Sequence, residues 1–192
     1  MQVAVIGTGF VGVITAAVFS KFGNSVVAVD IDKRKITSLK HGELPFFEPD
    51  LKDLVSENMK AGRLVFTSSF REAIPSAEII FICVGTPSAA NGQADLTYVF
   101  SAVQSMAPYL KNRAIIVVKS TVPPSTNKKI AQIIKKKTKK RIFTASVPEF
   151  LKEGSAVSDS LNPERVIIGS TDKWVIDKLS ELHKPLKGPK IV

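Results

Sequence analysis

Three glycines with the spacing G-x-G-x-x-G (Gly7, Gly9 and Gly12) follow a short apolar run and open a stretch with helical character. The first glycine permits a tight turn, the second lets the backbone approach a pyrophosphate, and the third lets a helix pack closely on a strand. Asp30 ends the next apolar run, where a carboxylate accepts hydrogen bonds from the hydroxyls of an adenosine ribose. Because that carboxylate would repel a 2'-phosphate, the pattern favours a site for NAD over one for NADP. The alternative is that the glycines only turn the chain and an Asp only caps the next helix; Asp32 is the better candidate for a cap.

Two carboxylates four residues apart, Glu149 and Glu153, form a second candidate group. If the stretch PEFLKEG is one helical turn, both side chains face the same way and could do acid/base work. An exposed, capped turn is equally compatible with this spacing. Two hydroxyl residues, Ser120 and Thr121, come shortly after the apolar run AIIVV, and they either hold a water or an amide group or serve the turn alone.

The other residues with reactive side chains are few and separated. Cys83 lies in the apolar run EIIFICV, which predicts a small buried residue rather than a nucleophile. His41 and His183 are far apart, with no cluster of ligands around either, so no metal site is predicted. A single Cys excludes an internal disulfide framework and favours a reducing compartment.

Short apolar runs alternate with helical stretches along most of the chain, beginning with a βαβ unit in about 30 residues. This alternation predicts an α/β fold, a Rossmann-type doubly wound and mostly parallel sheet with helices on both faces. We expect a domain over residues 1–182, and over 183–192 a tail or the stub of a missing central helix and C-terminal domain. The first apolar run has no basic leader and the longest nearly apolar run is too short to span a membrane, so we expect a cytoplasmic protein.

The net charge of +10 comes almost entirely from one segment. Residues 128–141 contain eight basic side chains and no acidic one, whereas the rest of the chain is nearly balanced. Ile130, Ile133 and Ile134 share one face at helical spacing, which predicts a packed amphipathic helix with its lysines in solvent. We favour this interpretation over a nucleic-acid site because no aromatic residue interleaves with the lysines to stack on bases.

Seven segments in this order resemble the N-terminal half of the UDP-glucose and GDP-mannose dehydrogenase family: GTGFVG, VDIDKRK, PFFEPDL, FICVGTPSAANGQADL, KSTVPPST, PEFLKEGSAV and NPERVIIGS. The resemblance covers the chain from Val3 to about Gly169. It implies a Rossmann domain that binds NAD. It also implies an enzyme that oxidises UDP-glucose to UDP-glucuronate in two NAD-dependent steps, for polysaccharide biosynthesis.

The resemblance also implies roles for single residues. The turn from Gly7 to Gly12, including Phe10 and Val11, would hold the pyrophosphate and Asp30 the ribose. Further residues on the cofactor side are Lys35 near the adenosine, Thr86 in the loop over the cofactor, Thr121 near the nicotinamide and the reactive water, and Glu153. On the substrate side, Glu149 would help to activate water, with Thr121 beside it, and Phe150, Leu151, Lys152 and Glu153 would border the nucleotide sugar.

The chain departs from the family pattern at three positions. Val147 stands where Asn is usual, and Asp50 and Ser125 stand where Gly is usual. The family's nucleophilic Cys, with its Lys and Asn, belongs to a later portion, and Cys83 does not take that role. We therefore expect these residues to bind NAD without turning over alone.

The alternatives are a dehydrogenase of GDP-mannose or of an N-acetylated UDP-sugar, and a non-catalytic nucleotide-binding module. Full-length members of the family are expected to be homodimers.

Overall fold

The structure, a computed structural model, describes residues 1–192 and is built around a parallel sheet of six strands. The strands are β1 (Gln2–Ile6), β2 (Ser25–Val29), β3 (Leu64–Thr67), β4 (Ile79–Ile82), β5 (Ile115–Val118) and β6 (Phe143–Ser146). Their order is β3-β2-β1-β4-β5-β6, and every neighbouring pair is parallel. The order reverses between β1 and β4, which is where sheets of this kind bind ligands. The predicted doubly wound α/β fold is confirmed.

Eight helices cover the two faces of the sheet: α1 (Phe10–Lys21), α2 (Lys33–Lys40), α3 (Leu51–Lys60), α4 (Phe70–Ala73), α5 (Thr97–Met106), α6 (Thr126–Lys137), α7 (Ala156–Leu161) and α8 (Lys173–Leu182). Helices α1, α2, α3, α7 and α8 pack on one face, and α4, α5 and α6 pack on the other. The central strands β4 and β5 consist of buried apolar residues because both of their faces are covered. Asp32 caps α2 as predicted, and its carboxylate accepts hydrogen bonds from the amides of Arg34 and Lys35. No helix has the length and apolar character needed to cross a membrane.

Helix α6 is amphipathic as predicted, with Ile130 and Ile134 buried against the sheet. The expectation that all eight basic residues share this helix is wrong, because α6 ends at Lys137. Thr138 has an extended backbone, and its hydroxyl accepts a hydrogen bond of 3.2 Å from the amide of Lys140. This local bond competes with a further helical turn. The last three basic residues therefore lie in the connection to β6.

Two elements were not expected from the sequence. One is helix α7, and the other is β8 (Lys190–Ile191), which pairs with β7 (Val166–Ile167) in a second small sheet. Within residues 183–192, Leu186 and Gly188 are buried. The division of the chain at residue 182 stays a prediction.

Asp50 and Ser125, which stand where the resemblance predicts glycine, both have left-handed backbones, with φ of 63° and 66°. Each lies directly before a helix, α3 or α6. Glycine reaches this region without the steric cost of a Cβ atom, which explains why it is the usual residue there.

Candidate functional site

The glycine turn leads from β1 into α1 and has the shape that its sequence predicts. Gly7 has a φ of +94°, and a Cβ atom on it would lie 2.8 Å from the carbonyl oxygen of Cys83. A Cβ atom on Gly12 would lie 1.9 Å from the carbonyl oxygen of Gly7, so only glycine fits between strand and helix. A Cβ atom on Gly9 would meet nothing within 4 Å, so the backbone there is open to a ligand.

The first turn of α1 is free to hold an anion. No side chain caps this helix at Gly9, and no acidic residue lies in its first turn. Its leading amide groups therefore keep hydrogen-bonding capacity at the positive end of the helix dipole, which suits a pyrophosphate. Phe10 and Val11 are half-buried at this end.

Asp30 follows β2 and faces the same turn. One of its oxygens, Oδ2, accepts hydrogen bonds from the Thr8 amide at 2.8 Å and the Thr8 hydroxyl at 2.9 Å, and lies 3.3 Å from Nζ of Lys35. The other, Oδ1, accepts a bond of 3.0 Å from the Asp32 amide. Burial alone would raise the pKa of Asp30, but these bonds and the Lys35 charge hold it below 3.8. The side chain is therefore an ionised acceptor at neutral pH.

A cavity of about 270 Å³ adjoins the turn and is lined by Gly9, Asp30 and Lys35 together with apolar and hydroxyl side chains of α5. Ile31 and Tyr98 also line it, and both are large side chains that remain mostly exposed. Sequence reasoning missed these two residues. Ile31 could have been identified from the sequence, because it is an apolar residue directly after Asp30 at the end of a strand. An apolar side chain at this position lies beyond the strand and is not buried in the core.

The loops after β4 and β5 are joined by hydroxyl groups. The Thr86 hydroxyl donates to the carbonyl of Thr121 at 2.9 Å, and the Ser120 hydroxyl donates to the carbonyl of Val84 at 2.6 Å. Ser120 therefore serves the loop structure. Thr121 is exposed at the carboxyl edge of the sheet.

Glu149 lines a second cavity, of about 160 Å³, together with Phe150, Leu151, Lys152 and Lys119. Its Oε2 accepts a hydrogen bond of 2.6 Å from the Leu151 amide, which fixes the carboxylate within its own turn. Phe150 is 45% exposed, and the guanidinium of Arg165 lies 4.4 Å from the centre of its ring. The predicted substrate residues 149–152 are thus brought together, and Arg165 joins them.

Glu153 does not line this cavity. The chain is not helical between Val147 and Lys152, so Glu149 and Glu153 do not share a helix face. Glu153 is exposed at the turn that precedes α7. The spacing of four residues therefore does not bring the two carboxylates together, and the interpretation of them as one acid/base pair is wrong.

Glu48 is a functional candidate that sequence analysis did not identify. Its carboxylate is 3% exposed and accepts hydrogen bonds from the amides of Gly154, at 2.8 Å, and Ala156, at 2.7 Å. It therefore holds the end of the loop that starts at Glu149. No local signal marks this contact, because the partners are more than 100 residues apart in the chain.

Lys119 is half-buried in the second cavity, and no carboxylate lies within 4.0 Å of its Nζ. Burial lowers its pKa below 10.5, and the neighbouring acidic groups of Cys83 and Glu149 oppose this effect. The Thr15 hydroxyl lines the same cavity, and it is buried without a hydrogen-bond partner. Two polar groups with unused hydrogen-bonding capacity thus face this space.

Cys83 and His183 are both buried, and neither is set up for chemistry at neutral pH. Burial raises the pKa of the Cys83 thiol to about 12, and the prediction of a small buried residue is confirmed. Burial lowers the pKa of His183 from 6.5 to about 4, although a hydrogen bond to the Leu179 carbonyl opposes the shift. No three His, Cys, Asp or Glu side chains come together as a metal site.

The chain is similar to known proteins in both sequence and fold. The family model for the NAD-binding domain of the UDP-glucose/GDP-mannose dehydrogenase family matches residues 1–187. The chain is 46% identical to UDP-glucose 6-dehydrogenase TuaD of Bacillus subtilis, covering 99% of this chain and 42% of that protein. It is 41% identical to UDP-glucose 6-dehydrogenase of Pseudomonas aeruginosa, again over 42% of that protein. The chain thus spans less than half the length of these relatives.

Two solved structures share the fold closely. A UDP-glucose dehydrogenase from the archaeon Pyrobaculum islandicum has a TM-score of 0.95 at 35% identity, covering 99% of this chain and 45% of that one. A GDP-mannose dehydrogenase from Pseudomonas aeruginosa has a TM-score of 0.95 at 33% identity, covering 100% of this chain and 46% of that one. With the glycine turn and Asp30 in place, the chain belongs to the UDP-glucose/GDP-mannose dehydrogenase family and contains its NAD-binding domain.

Proposed function

We propose that this chain is the NAD-binding half of a UDP-glucose 6-dehydrogenase, which converts UDP-glucose to UDP-glucuronate. The observation that carries the proposal is the ionised Asp30 carboxylate beside an open glycine turn, with the Glu149 cavity also at the carboxyl end of the sheet. The UDP-glucose dehydrogenases among the relatives support the choice of sugar.

The residues fit NAD for reasons of shape and charge. The open face at Gly9 and the uncapped start of α1 suit the pyrophosphate, and Asp30 suits the two hydroxyls of the adenosine ribose. Lys35 lies at the same end, and Thr86 braces the loop after β4 against Thr121. When bound, NAD supplies the hydride acceptor for each of the two oxidations.

The overall reaction sets the tasks of the protein. A primary alcohol and one water lose two hydrides and three protons, which leaves a carboxylate. A base must therefore take protons from the alcohol or the water, and a group must orient that water. We assign the base to Glu149, which lines its cavity, and the water to Thr121, which is exposed at the same edge of the sheet. Residues Phe150, Leu151 and Lys152 border the nucleotide sugar, and Glu153 reaches the cofactor from its exposed turn.

Cys83 does not supply the nucleophile for a covalent step, because its thiol is buried with a pKa of about 12. Turnover therefore needs groups other than those of the described site, and we propose that the 192 residues alone bind NAD without producing NADH from UDP-glucose. The homodimer and the cytoplasmic location expected for the family stay predictions.

Calorimetry with the 192-residue chain tests the cofactor and the sugar in turn. We expect NAD to bind, and Asp30→Ala to weaken it strongly, because its hydrogen bonds to the ribose and to Thr8 are lost. With NAD saturating, UDP-glucose should bind more tightly than GDP-mannose or UDP-N-acetylmannosamine. Preference for one of the other two sugars would replace the assigned substrate within the family. No binding of any sugar, with NAD still bound, would favour a non-catalytic nucleotide-binding module.

A further inference from the structure

Glu48 lies between α2 and α3 and is the one carboxylate among the buried side chains of this protein. Its two oxygens take separate partners: Oε2 accepts from the Gly154 amide at 2.8 Å, and Oε1 accepts from the Ala156 amide at 2.7 Å. Hydrogen bonds to a buried carboxylate are short and strong because the acceptor is charged. Glu48 therefore ties two distant parts of the chain together.

The two amides belong to the turn that ends the loop of Glu149 and Glu153. Gly154 has a φ of +88°, so the chain turns sharply there, and α7 starts two residues later. Ser155 does not cap α7 with its own side chain, since its hydroxyl donates to Asp159 instead. Glu48 supplies the missing cap and so fixes where the loop stops.

The other side of the same segment touches the glycine turn. Phe46 packs on Phe10, the first residue of α1, with 5.0 Å between the ring centres. The carbonyl of Glu48 also accepts a hydrogen bond of 3.3 Å from the Leu51 amide at the start of α3. Residues 46–48 thus bridge the glycine turn and the loop of residues 149–153.

We propose that Glu48 is a positioning residue, which sets the distance between the glycine turn and the Glu149–Glu153 loop and so places Glu153 against the bound cofactor. The proposal rests on the function proposed above, in which NAD lies on this turn and Glu153 reaches it. A carboxylate is required because two amide donors converge on it. A glutamine presents one oxygen and one NH₂ group, which leaves one buried amide facing another donor.

A double-mutant cycle separates positioning from simple stabilisation. The variants are Glu48→Gln, Glu153→Gln and the double variant, and the NAD dissociation constant of each folded chain is measured by calorimetry. We expect Glu48→Gln alone to weaken NAD binding about 10-fold, because Glu153 is then no longer held against the cofactor and one charge-assisted hydrogen bond to the cofactor is lost. In the Glu153→Gln background, Glu48→Gln should weaken NAD binding by about 2-fold or less, because position 153 then has no carboxylate for Glu48 to position. Glu43→Gln removes the same charge from the same segment at an exposed position and should leave NAD affinity unchanged.

Hydrogen exchange gives an independent readout of the clamp. The amides of Gly154 and Ala156 should exchange faster in Glu48→Gln than in Glu43→Gln. If Glu48→Gln does not fold, Glu48→Asp keeps the charge but shortens the reach, and should release one of the two amides with the same effect on NAD.

Three results would overturn the proposal. The first is that Glu48→Gln weakens NAD binding by the same factor in the wild-type and Glu153→Gln backgrounds. The others are an unchanged NAD affinity in folded Glu48 variants, and no effect of Glu153→Gln by itself on NAD affinity. If the wild-type chain does not bind NAD, the proposed function is refuted instead. This outcome is distinguished from the three above because it is seen without any substitution.

Discussion

The carboxylate of Asp30 should set the choice between NAD and NADP, and Asp30→Asn tests this with almost no change of shape. In the wild-type chain the charge lies next to the cavity of the glycine turn and 3.3 Å from Nζ of Lys35. Asn keeps an oxygen that can accept the Thr8 amide bond of 2.8 Å, so the turn retains a partner. The substitution removes the charge, and it also turns an NH₂ group towards the Asp32 amide, whose bond of 3.0 Å to Oδ1 is lost.

The size of the effect follows from Coulomb's law. A carboxylate about 5 Å from a phosphate with two negative charges is repelled by about 2 kcal/mol in a water-like dielectric. Loss of charge assistance in the bonds to the ribose hydroxyls weakens NAD by about 1 kcal/mol more. Together these effects shift the ratio of the two dissociation constants towards NADP by about 100-fold. Lys35 should strengthen NADP binding further in Asp30→Asn, because it no longer pairs with the Asp30 carboxylate and can pair with the 2'-phosphate.

Calorimetric titration of NAD and NADP into wild type and Asp30→Asn measures this ratio. Asp32→Asn is the matched control, since it removes a carboxylate that caps α2 and Asn is an equally good cap. The shift should shrink at high salt and should shrink when Lys35→Met is added. A ratio that moves less than about 3-fold, or equally in the Asp32 control, would refute the electrostatic argument.

Four further predictions concern stability and charge. The folded state binds fewer protons than the unfolded state between the lowered pKa of His183, about 4, and its ordinary value of 6.5, so stability rises with pH through this window. Acidification from pH 7 to pH 4 should lower the free energy of unfolding by about 3 kcal/mol through this side chain. Urea unfolding at both pH values should show a smaller decrease in His183→Phe than in the wild-type chain. Lys119→Met should raise Tm by about 3 °C, since it removes a half-buried charge without a partner, and a fall in Tm measured by calorimetry would show that the ammonium is satisfied. Ser125→Gly should stabilise the chain by about 1 kcal/mol in urea unfolding because its φ is 66°, whereas Ser125→Ala should not. Lys135–Lys137 replaced by Ala should leave binding to an oligonucleotide weak and nearly unchanged, and a steep salt slope lost in that variant would establish a polyanion site.

The fold was predictable because its signals are local. Apolar runs such as IIVV in β5 have no polar residue and must be buried on both faces, and helices between them fix a parallel sheet. The spacing of the glycines is equally local, and the steric demand at Gly12 comes from the Gly7 carbonyl within the same turn. Helix α7 was missed because its cap, Glu48, comes from a distant part of the chain.

The site was predictable in its parts more than in its arrangement. Asp30 could be placed because the end of a strand determines where its side chain goes. Glu149 and Glu153 could not, because their relation depends on whether a short stretch is helical, and the bond from the Leu151 amide to Glu149 holds it in another shape. The left-handed backbone at Asp50 and Ser125 was also hidden, since neither residue type requires it.

Polar side chains without partners line the Glu149 cavity. Lys119 lacks an ion-pair partner and Thr15 lacks a hydrogen-bond partner. Well-packed apolar replacements for buried charges are neutral or stabilising in most proteins, so packing does not explain why polar groups stand here. Sequences break such local rules mainly at functional sites, where the polar groups meet a ligand. The cavity beside Glu149 is therefore better understood as a place for polar atoms that the folded chain does not itself supply.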